Sequence, residues 1–199
     1  PRPLFFGPGV PHDGALFTLV SETTPSPGVF LWCFDMASGE VLFRTLLHHL
    51  DETPRRLPSD STIAVAGGLV YAVTQSGVVA AVEANAPGRL RWVRRYDRAR
   101  RGAAVAQSLA LADPIVTQGK LIVAPTDGAH IFALDAETGA LAWSIATRGI
   151  RAVVGAGGGI LVVEGKSTVK GISVADGKEA WAARPLAGNT YGRGFVGRT

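Results

Sequence analysis

Short runs in which apolar and polar residues alternate recur along the chain, and glycine, proline or small polar residues bound most of them. This period of two is typical of β-strands that place one face in a core. The runs are residues 16–20, 29–34, 62–65, 69–73, 78–82, 114–117, 121–124, 130–134, 152–154, 160–163 and 169–174. The pattern therefore predicts an all-β chain of many short strands.

The runs group into repeats that share one marker, a turn glycine followed four residues later by a large aromatic. The pairs are Gly39 and Phe43, Gly88 and Trp92, Gly139 and Trp143, and Gly177 and Trp181. Three strands are evident in each repeat, and a short lead-in strand completes repeats two to four. Four strands in a repeat of about 40 to 50 residues are typical of a β-propeller blade.

We therefore predict a partial β-propeller of about four four-stranded antiparallel blades, forming one domain over residues 1–199. The predicted blades span residues 10–49, 60–97, 112–148 and 150–185, and residues 186–199 begin a further blade. Because the chain starts at Pro1 without a methionine or a leader, we expect it to be an excised part of a longer protein.

The composition is typical of a globular chain, and it excludes few classes of function. Hydrophobic residues make up 47% of the sequence, and the formal net charge of +4 is too small to select a partner. A single cysteine, Cys33, excludes an internal disulfide and a thiolate zinc site, and we expect it to be a small buried apolar residue. Apolar runs are too short to cross a bilayer, so no membrane span is expected in this segment.

The third repeat carries the most specific motif, which runs from Ala133 through Asp135, Thr138 and Gly139 to Trp143. It resembles the tryptophan-docking motif of the pyrroloquinoline-quinone-like propeller family, and Asp35, Gly39 and Phe43 form a weaker copy in the first repeat. The residues alone suggest the same roles, because an aspartate can bond turn amides and glycine supplies a positive φ. We expect the aromatics to be buried between blades.

The resemblance implies a ring of seven or eight blades, of which this chain is a fragment. The family includes quinone-dependent dehydrogenases as well as non-enzymatic BamB-like members, so the resemblance specifies the fold more than the function. It also suggests the cell envelope or periplasm as the compartment. A quinoprotein dehydrogenase of this family would hold its cofactor with calcium ligands, an aspartate base and commonly two adjacent cysteines.

The residues do not supply that set. One cysteine cannot form a pair, and the only asparagines, Asn85 and Asn189, have no carboxylates at calcium-ligand spacing. The glycine-rich stretch 153–159 imitates a dinucleotide fingerprint, but a strand rather than a helix follows it. His48 and His49 are adjacent and are expected in a solvated loop rather than a metal site. We predict no catalytic, cofactor-binding or metal-binding residue and no bound cofactor.

Residues 89–101 hold an unusual concentration of arginine interleaved with Trp92 and Tyr96. The arginines are Arg89, Arg91, Arg94, Arg95, Arg98, Arg100 and Arg101. They could bind an anionic macromolecule or an acidic protein, or they could protect an exposed sheet edge from pairing with another sheet. Both explanations stay open, and nothing indicates nucleic acid specifically.

The sequence thus favours a non-catalytic interaction scaffold whose partners are a protein or anionic macromolecule and the remaining blades of the parent chain. One alternative is a segment of a quinoprotein-type dehydrogenase whose catalytic residues lie elsewhere. Another is a structural module fused to a different enzyme domain.

Overall fold

The computed structural model describes residues 3–23, 26–50, 62–99 and 113–185, and it separates into two compact units, residues 1–96 and 97–199. The first unit contains two four-stranded antiparallel sheets. Blade 1 consists of β1 (Leu4–His12), β2 (Ala15–Glu22), β3 (Gly28–Asp35) and β4 (Val41–His49). Blade 2 consists of β5 (Thr62–Ala66), β6 (Leu69–Val73), β7 (Val78–Glu83) and β8 (Leu90–Arg95).

The second unit contains two further sheets of the same kind. Blade 3 consists of β9 (Ile115–Thr117), β10 (Lys120–Val123), β11 (His130–Asp135) and β12 (Leu141–Ala146). Blade 4 consists of β13 (Ala152–Gly157), β14 (Ile160–Glu164), β15 (Thr168–Ser173) and β16 (Glu179–Pro185). In every blade, strands adjacent in sequence are hydrogen-bonded neighbours, so the predicted four-stranded antiparallel blades are confirmed.

The first blade begins earlier than the sequence pattern indicates. Strand β1 starts at Leu4, six residues before the predicted boundary at residue 10. Its sequence, LFFGPGVPH, contains two glycines and two prolines, and its pairing with β2 shifts register between Phe6 and Val10. An edge strand tolerates proline and a bulge, which is why this strand lacks the alternation that marks the others.

The first hairpin of each blade turns through two consecutive residues with positive φ. The pairs are Asp13 and Gly14, Gly67 and Gly68, Gln118 and Gly119, and Gly158 and Gly159, with φ between 47° and 79°. Two positive φ values define the mirror-image turns that match the right-handed twist of paired strands. The equivalent turn in all four sheets shows that they are repeats of one structural unit.

Each unit has its own hydrophobic core between its two sheets. In the first unit, Phe17, Leu31 and Cys33 of blade 1 share a core with Val70 and Val82 of blade 2. Cys33 is buried among these apolar side chains, and burial raises the pKa of its thiol. In the second unit, side chains of blades 3 and 4 form the equivalent core. No helix in the described ranges is long and apolar enough to cross a membrane.

Candidate functional site

The turn between the third and fourth strands carries the predicted docking motif, and in blades 1 and 3 it is built identically. Asp35 Oδ1 accepts hydrogen bonds from the amide of Ser38 at 2.7 Å and from its hydroxyl at 3.0 Å. Asp135 Oδ1 accepts the same pair from Thr138, at 2.8 and 2.7 Å. In both turns the glycine amide donates to the aspartate carbonyl. The carboxylate thus holds the turn closed around a glycine.

These hydrogen bonds stabilise the charged form of each carboxylate. The amide and then the hydroxyl of Ser38 are the main groups that hold the pKa of Asp35 below its ordinary value. For Asp135, the hydroxyl and then the amide of Thr138 lower the pKa in the same way. Both side chains therefore stay ionised to lower pH in the folded chain than in the unfolded chain.

Blade 4 makes the same turn with the two residue types exchanged. Ser173 occupies the position of the aspartate, four residues before Gly177, and Asp176 occupies the position of the hydroxyl residue. The Ser173 hydroxyl is the main cause of the lowered pKa of Asp176, whose Oδ1 also accepts from the Lys178 amide at 3.2 Å. The acid–hydroxyl pair survives, although its members have changed places.

Blade 2 closes its turn with one residue more than the others. The amide of Glu83 donates to the carbonyl of Arg89, six residues on, whereas Asp35, Asp135 and Ser173 each donate to a carbonyl five residues on. The extra residue lies in the stretch 84–88, and the Ala86–Pro87 peptide is cis. Gly88 still has a φ of 68°, close to the 72–74° of Gly39, Gly139 and Gly177.

In the first unit, the aromatic of blade 1 lies on the turn glycine of blade 2. The Phe43 ring is 8% exposed and packs so closely against Gly88 that a Cβ at residue 88 would overlap it. The Thr45 hydroxyl donates to the Gly88 carbonyl beside this contact. Gly88 is therefore required twice, for its backbone conformation and for the space that it leaves to the ring.

The second unit repeats this contact with tryptophan. Trp143 of blade 3 is 8% exposed, and a Cβ on Gly177 of blade 4 would lie 2.7 Å from its ring. Its indole Nε1–H donates to the carbonyl of Val174 at 2.9 Å. The Trp143 ring thus packs against blade 4, and its one polar atom donates a hydrogen bond to the same blade.

The other two predicted docking aromatics have different surroundings. Trp92 is half-buried, and its ring centroid lies 6.2 Å from that of Tyr71 in the same sheet. Trp181 is also half-buried, and its ring lies across Gly171 on the neighbouring strand. Docking against a neighbouring blade remains a prediction for these two residues.

A polar contact that the sequence reasoning missed joins blades 1 and 2. His48 is buried at the end of β4, with Nε2 2.8 Å from Ser76 Oγ and Nδ1 2.8 Å from the carbonyl oxygen of His49. Ser76 donates to the Thr74 hydroxyl, which donates to the carbonyl of Val78. The expected solvated loop is therefore wrong for His48. The sequence around His48 offered no signal of this contact, because Ser76 lies 28 positions away.

The arginine-rich stretch divides into residues with different surroundings. Arg91 pairs with Glu83 at 3.2 Å, and Arg98, which belongs to the second unit, pairs with Asp127 at 3.0 Å. Arg89 and Arg95 are exposed, and Arg94 is half-buried. Arg100 and Arg101 lie outside the described residues. The structure thus describes Arg89 to Arg95 on or beside the edge strand β8, and a single anion-binding surface of all seven arginines remains a prediction.

The sequence features that imitate other sites have ordinary structural roles. The stretch 153–159 consists of most of β13 and the hairpin turn into β14. Within the described residues, no group of three or more histidine, cysteine, aspartate or glutamate side chains is placed to hold a metal ion.

The carboxylate of the blade 3 turn gives a test by pH. Because folding lowers its pKa, Asp135 stabilises the fold above the ordinary aspartate pKa, about 3.9, and this contribution disappears as pH falls through the lower folded value. We expect Asp135→Asn to be less stable than the unmodified chain at pH 7, with the gap narrowing steadily below about pH 4. Chemical denaturation across pH measures the gap.

Glu137→Gln is the matched control, because it removes a carboxylate from the same turn and keeps the residue 137 amide that contacts Asp135. A stability gap for Asp135→Asn that is constant from pH 7 down to pH 2 would contradict the assignment.

Both units consist of four-stranded antiparallel meanders with this turn, and in each unit an aromatic of one sheet docks on the turn glycine of the next. Sheets of this kind are blades of a β-propeller. The sequence model of the family described as "Outer membrane protein assembly factor BamB" matches residues 107–193. The predicted resemblance to the pyrroloquinoline-quinone-like propeller family is thereby confirmed over these residues.

Solved structures show the same fold at low identity. BamB from Moraxella catarrhalis is 18% identical over 92% of this chain and 50% of its own, with a TM-score of 0.56. The quinohemoprotein alcohol dehydrogenase ADHIIG from Pseudomonas putida HK5 is 14% identical over 88% of this chain and 33% of its own, with a TM-score of 0.57. Sqt1 from Saccharomyces cerevisiae is 10% identical over 90% of this chain and 48% of its own, with a TM-score of 0.61.

The chain thus spans half or less of each of these structures. No curated protein sequence matches it.

Proposed function

We propose that this chain is a non-catalytic propeller module that serves as an interaction scaffold. We further propose that strand β8 of blade 2 binds an acidic, partly apolar segment of a protein partner. The observation that carries this proposal is the composition of β8, an edge strand of its sheet on which Leu90, Arg91, Val93 and Arg95 are exposed.

The register of β8 defines the side chains on one of its faces. Val93 lies opposite Ala80, and Arg95 lies opposite Val78, on the ladder with β7. Ala80 belongs to the core that blade 2 shares with blade 1, so Val93 and Arg95 are on that face. Trp92 is on the other face, beside Tyr71. One face of the strand therefore carries an apolar side chain, Val93, beside a cation, Arg95. The other face carries Trp92 beside the neighbouring aromatic Tyr71.

The exposed apolar residues favour a binding surface over edge protection alone. Leu90 is 42% exposed and Val93 is 40% exposed on the strand that carries Arg95 and that directly follows Arg89. Charge alone would be enough to protect an edge, and leucine and valine weaken that protection. Apolar contacts bordered by arginine are common in protein interfaces, where arginine also supplies directed hydrogen bonds to carboxylates.

The family match supports a scaffold in the same direction, because the matching family is described as an assembly factor. The alternatives, a quinoprotein-type dehydrogenase segment and a module that supports a fused enzyme domain, would not require exposed leucine and valine between arginines on this edge.

Binding of poly-L-glutamate, followed by calorimetry at low and physiological salt, tests the acidic specificity of the edge. We expect Arg89→Glu/Arg95→Glu to weaken binding at least about tenfold, because two attractive charges become repulsive. A control, Arg148→Glu/Arg151→Glu, changes the net charge equally at exposed positions of the second unit. Equal losses in the two variants would show a general charge effect and contradict a site on β8.

Heparin, titrated in parallel, separates the partner classes. We expect the unmodified chain to retain some affinity for poly-L-glutamate at physiological salt, because Leu90 and Val93 can contact the methylene groups of the glutamate side chains. The Leu90→Ser/Val93→Ser variant should lose this remaining affinity. A preference for heparin that is insensitive to these two substitutions would favour an anionic polymer instead. Incubation with pyrroloquinoline quinone and calcium is expected to give no bound-cofactor spectrum, and stoichiometric binding would overturn the non-catalytic proposal.

A further inference from the structure

The backbone of strand β8 has one edge that no strand of blade 2 pairs with. Strand β8 is last in the order of its sheet, so β7 lies on one side of it. Within the described residues, no strand forms a ladder with its other side. Because peptide groups along a strand point alternately to its two sides, half of the N–H and C=O groups of β8 point away from β7. Such an edge is a template for a further strand.

One hydrogen bond at the end of the ladder shows which residues these are. The Tyr96 amide donates to the Gly77 carbonyl at 3.0 Å, so this residue pair is hydrogen-bonded across the ladder. Every second pair of an antiparallel ladder bonds in this way, so Arg94, two residues before Tyr96, also bonds toward β7. Val93 and Arg95, which flank Arg94, consequently point their peptide groups to the open edge.

The side chains beside this edge are apolar and cationic on the face toward blade 1. Leu90 and Val93 lie opposite Val82 and Ala80, two members of the core that blade 2 shares with blade 1. Arg95 is exposed on the same face, and β8 contains no acidic residue. A strand added at the edge would place every second side chain beside these residues, and opposite charges on facing strands attract.

We propose that the partner segment binds as a fifth, antiparallel strand of blade 2, with an aliphatic side chain opposite Val93 and a carboxylate opposite Arg95. This inference rests on the proposed function and adds to it the backbone geometry and the order of the two side chains. Antiparallel pairing agrees with every ladder of blade 2 and is slightly more stable per residue than parallel pairing. Because the two strands run in opposite directions, the carboxylate precedes the aliphatic residue by two positions, as in Glu-Thr-Val.

Backbone pairing is tested by titrating the full chain with the peptide acetyl-Thr-Thr-Glu-Thr-Val-Thr-Thr-amide in a calorimeter at low salt. The amide of the peptide valine faces β8, so N-methylation there removes a hydrogen bond, and we expect it to weaken binding at least about tenfold. N-methylation of the threonine between glutamate and valine is the matched control. Its amide points away from β8, so this methyl group should change the affinity less than about threefold.

The order of the side chains is tested with a peptide in which glutamate and valine are exchanged, which keeps composition and charge. It should bind at least about threefold more weakly, because the carboxylate no longer lies opposite Arg95. Arg95→Glu should weaken binding of the original peptide at least about tenfold, and lysine in place of the peptide glutamate should restore it. Arg148→Glu, at an exposed position of the second unit, is the control for net charge and should leave the affinity nearly unchanged.

Two kinds of failure are distinguishable. Equal losses from the two methylated peptides, or equal binding of the exchanged peptide, would overturn strand addition. The proposed function would still stand if poly-L-glutamate binding depended on Arg89 and Arg95. If neither the peptide nor poly-L-glutamate bound the unmodified chain, both proposals would be overturned.

Discussion

Gly88→Ala is expected to lower the free energy of unfolding by about 2–5 kcal/mol, the larger of two costs being the collision with a neighbouring blade. The left-handed backbone at residue 88 costs an alanine about 1–2 kcal/mol. In addition, the new methyl group would overlap the Phe43 ring, and displacing a packed ring costs about 1–3 kcal/mol. Urea denaturation of the full chain, followed by fluorescence, measures the sum.

Gly68→Ala separates the two costs. Its φ of 75° imposes the same backbone strain, and a Cβ there would meet nothing within 4 Å among the described residues. We expect it to lose only about 1–2 kcal/mol. The double variant Phe43→Ala/Gly88→Ala should be more stable than the sum of its single changes predicts, because the ring that collides is gone. Additive losses would show that Phe43 and Gly88 do not form the contact that docks the two blades.

Trp143→Ala is expected to destabilise the chain by about 3–5 kcal/mol, because it empties the largest aromatic position between blades 3 and 4. Trp143→Phe keeps much of the ring but removes the donor to the Val174 carbonyl, and it should cost about 1–2 kcal/mol. Thermal and urea unfolding of the three chains give the comparison. A Trp143→Ala chain within about 1 kcal/mol of the unmodified one would contradict docking of blade 3 on blade 4.

The repeats were predictable because local residue chemistry specifies them. A positive φ selects glycine in the blade turns, and alternating apolar residues follow the two faces of each strand. Strand β1 escaped prediction because Gly7, Pro8 and Gly9 interrupt its alternation, and only pairing with β2 makes it a strand.

The surroundings of the site residues were less predictable, since they depend on contacts between distant parts of the chain. The sequence offers a glycine and an aromatic four residues apart, but the two residues that touch, Phe43 and Gly88, are 45 positions apart. His48 and Ser76 are also distant in sequence, 28 positions apart, and the packing of blade 1 on blade 2 brings them together. Arg91 and Arg98 have acidic partners that an arginine-rich sequence does not reveal.

The exchanged pair in the blade 4 turn has an evolutionary consequence. Ser173→Asp alone would place a second carboxylate beside Asp176, and Asp176→Ser alone would leave two hydroxyls with no charged acceptor for the turn amides. Conversion between the two arrangements therefore passes through an intermediate that is less stable than either end. The two positions are epistatic, so they should covary among related repeats, and a search that requires aspartate at the first position will overlook repeats that carry the exchanged form.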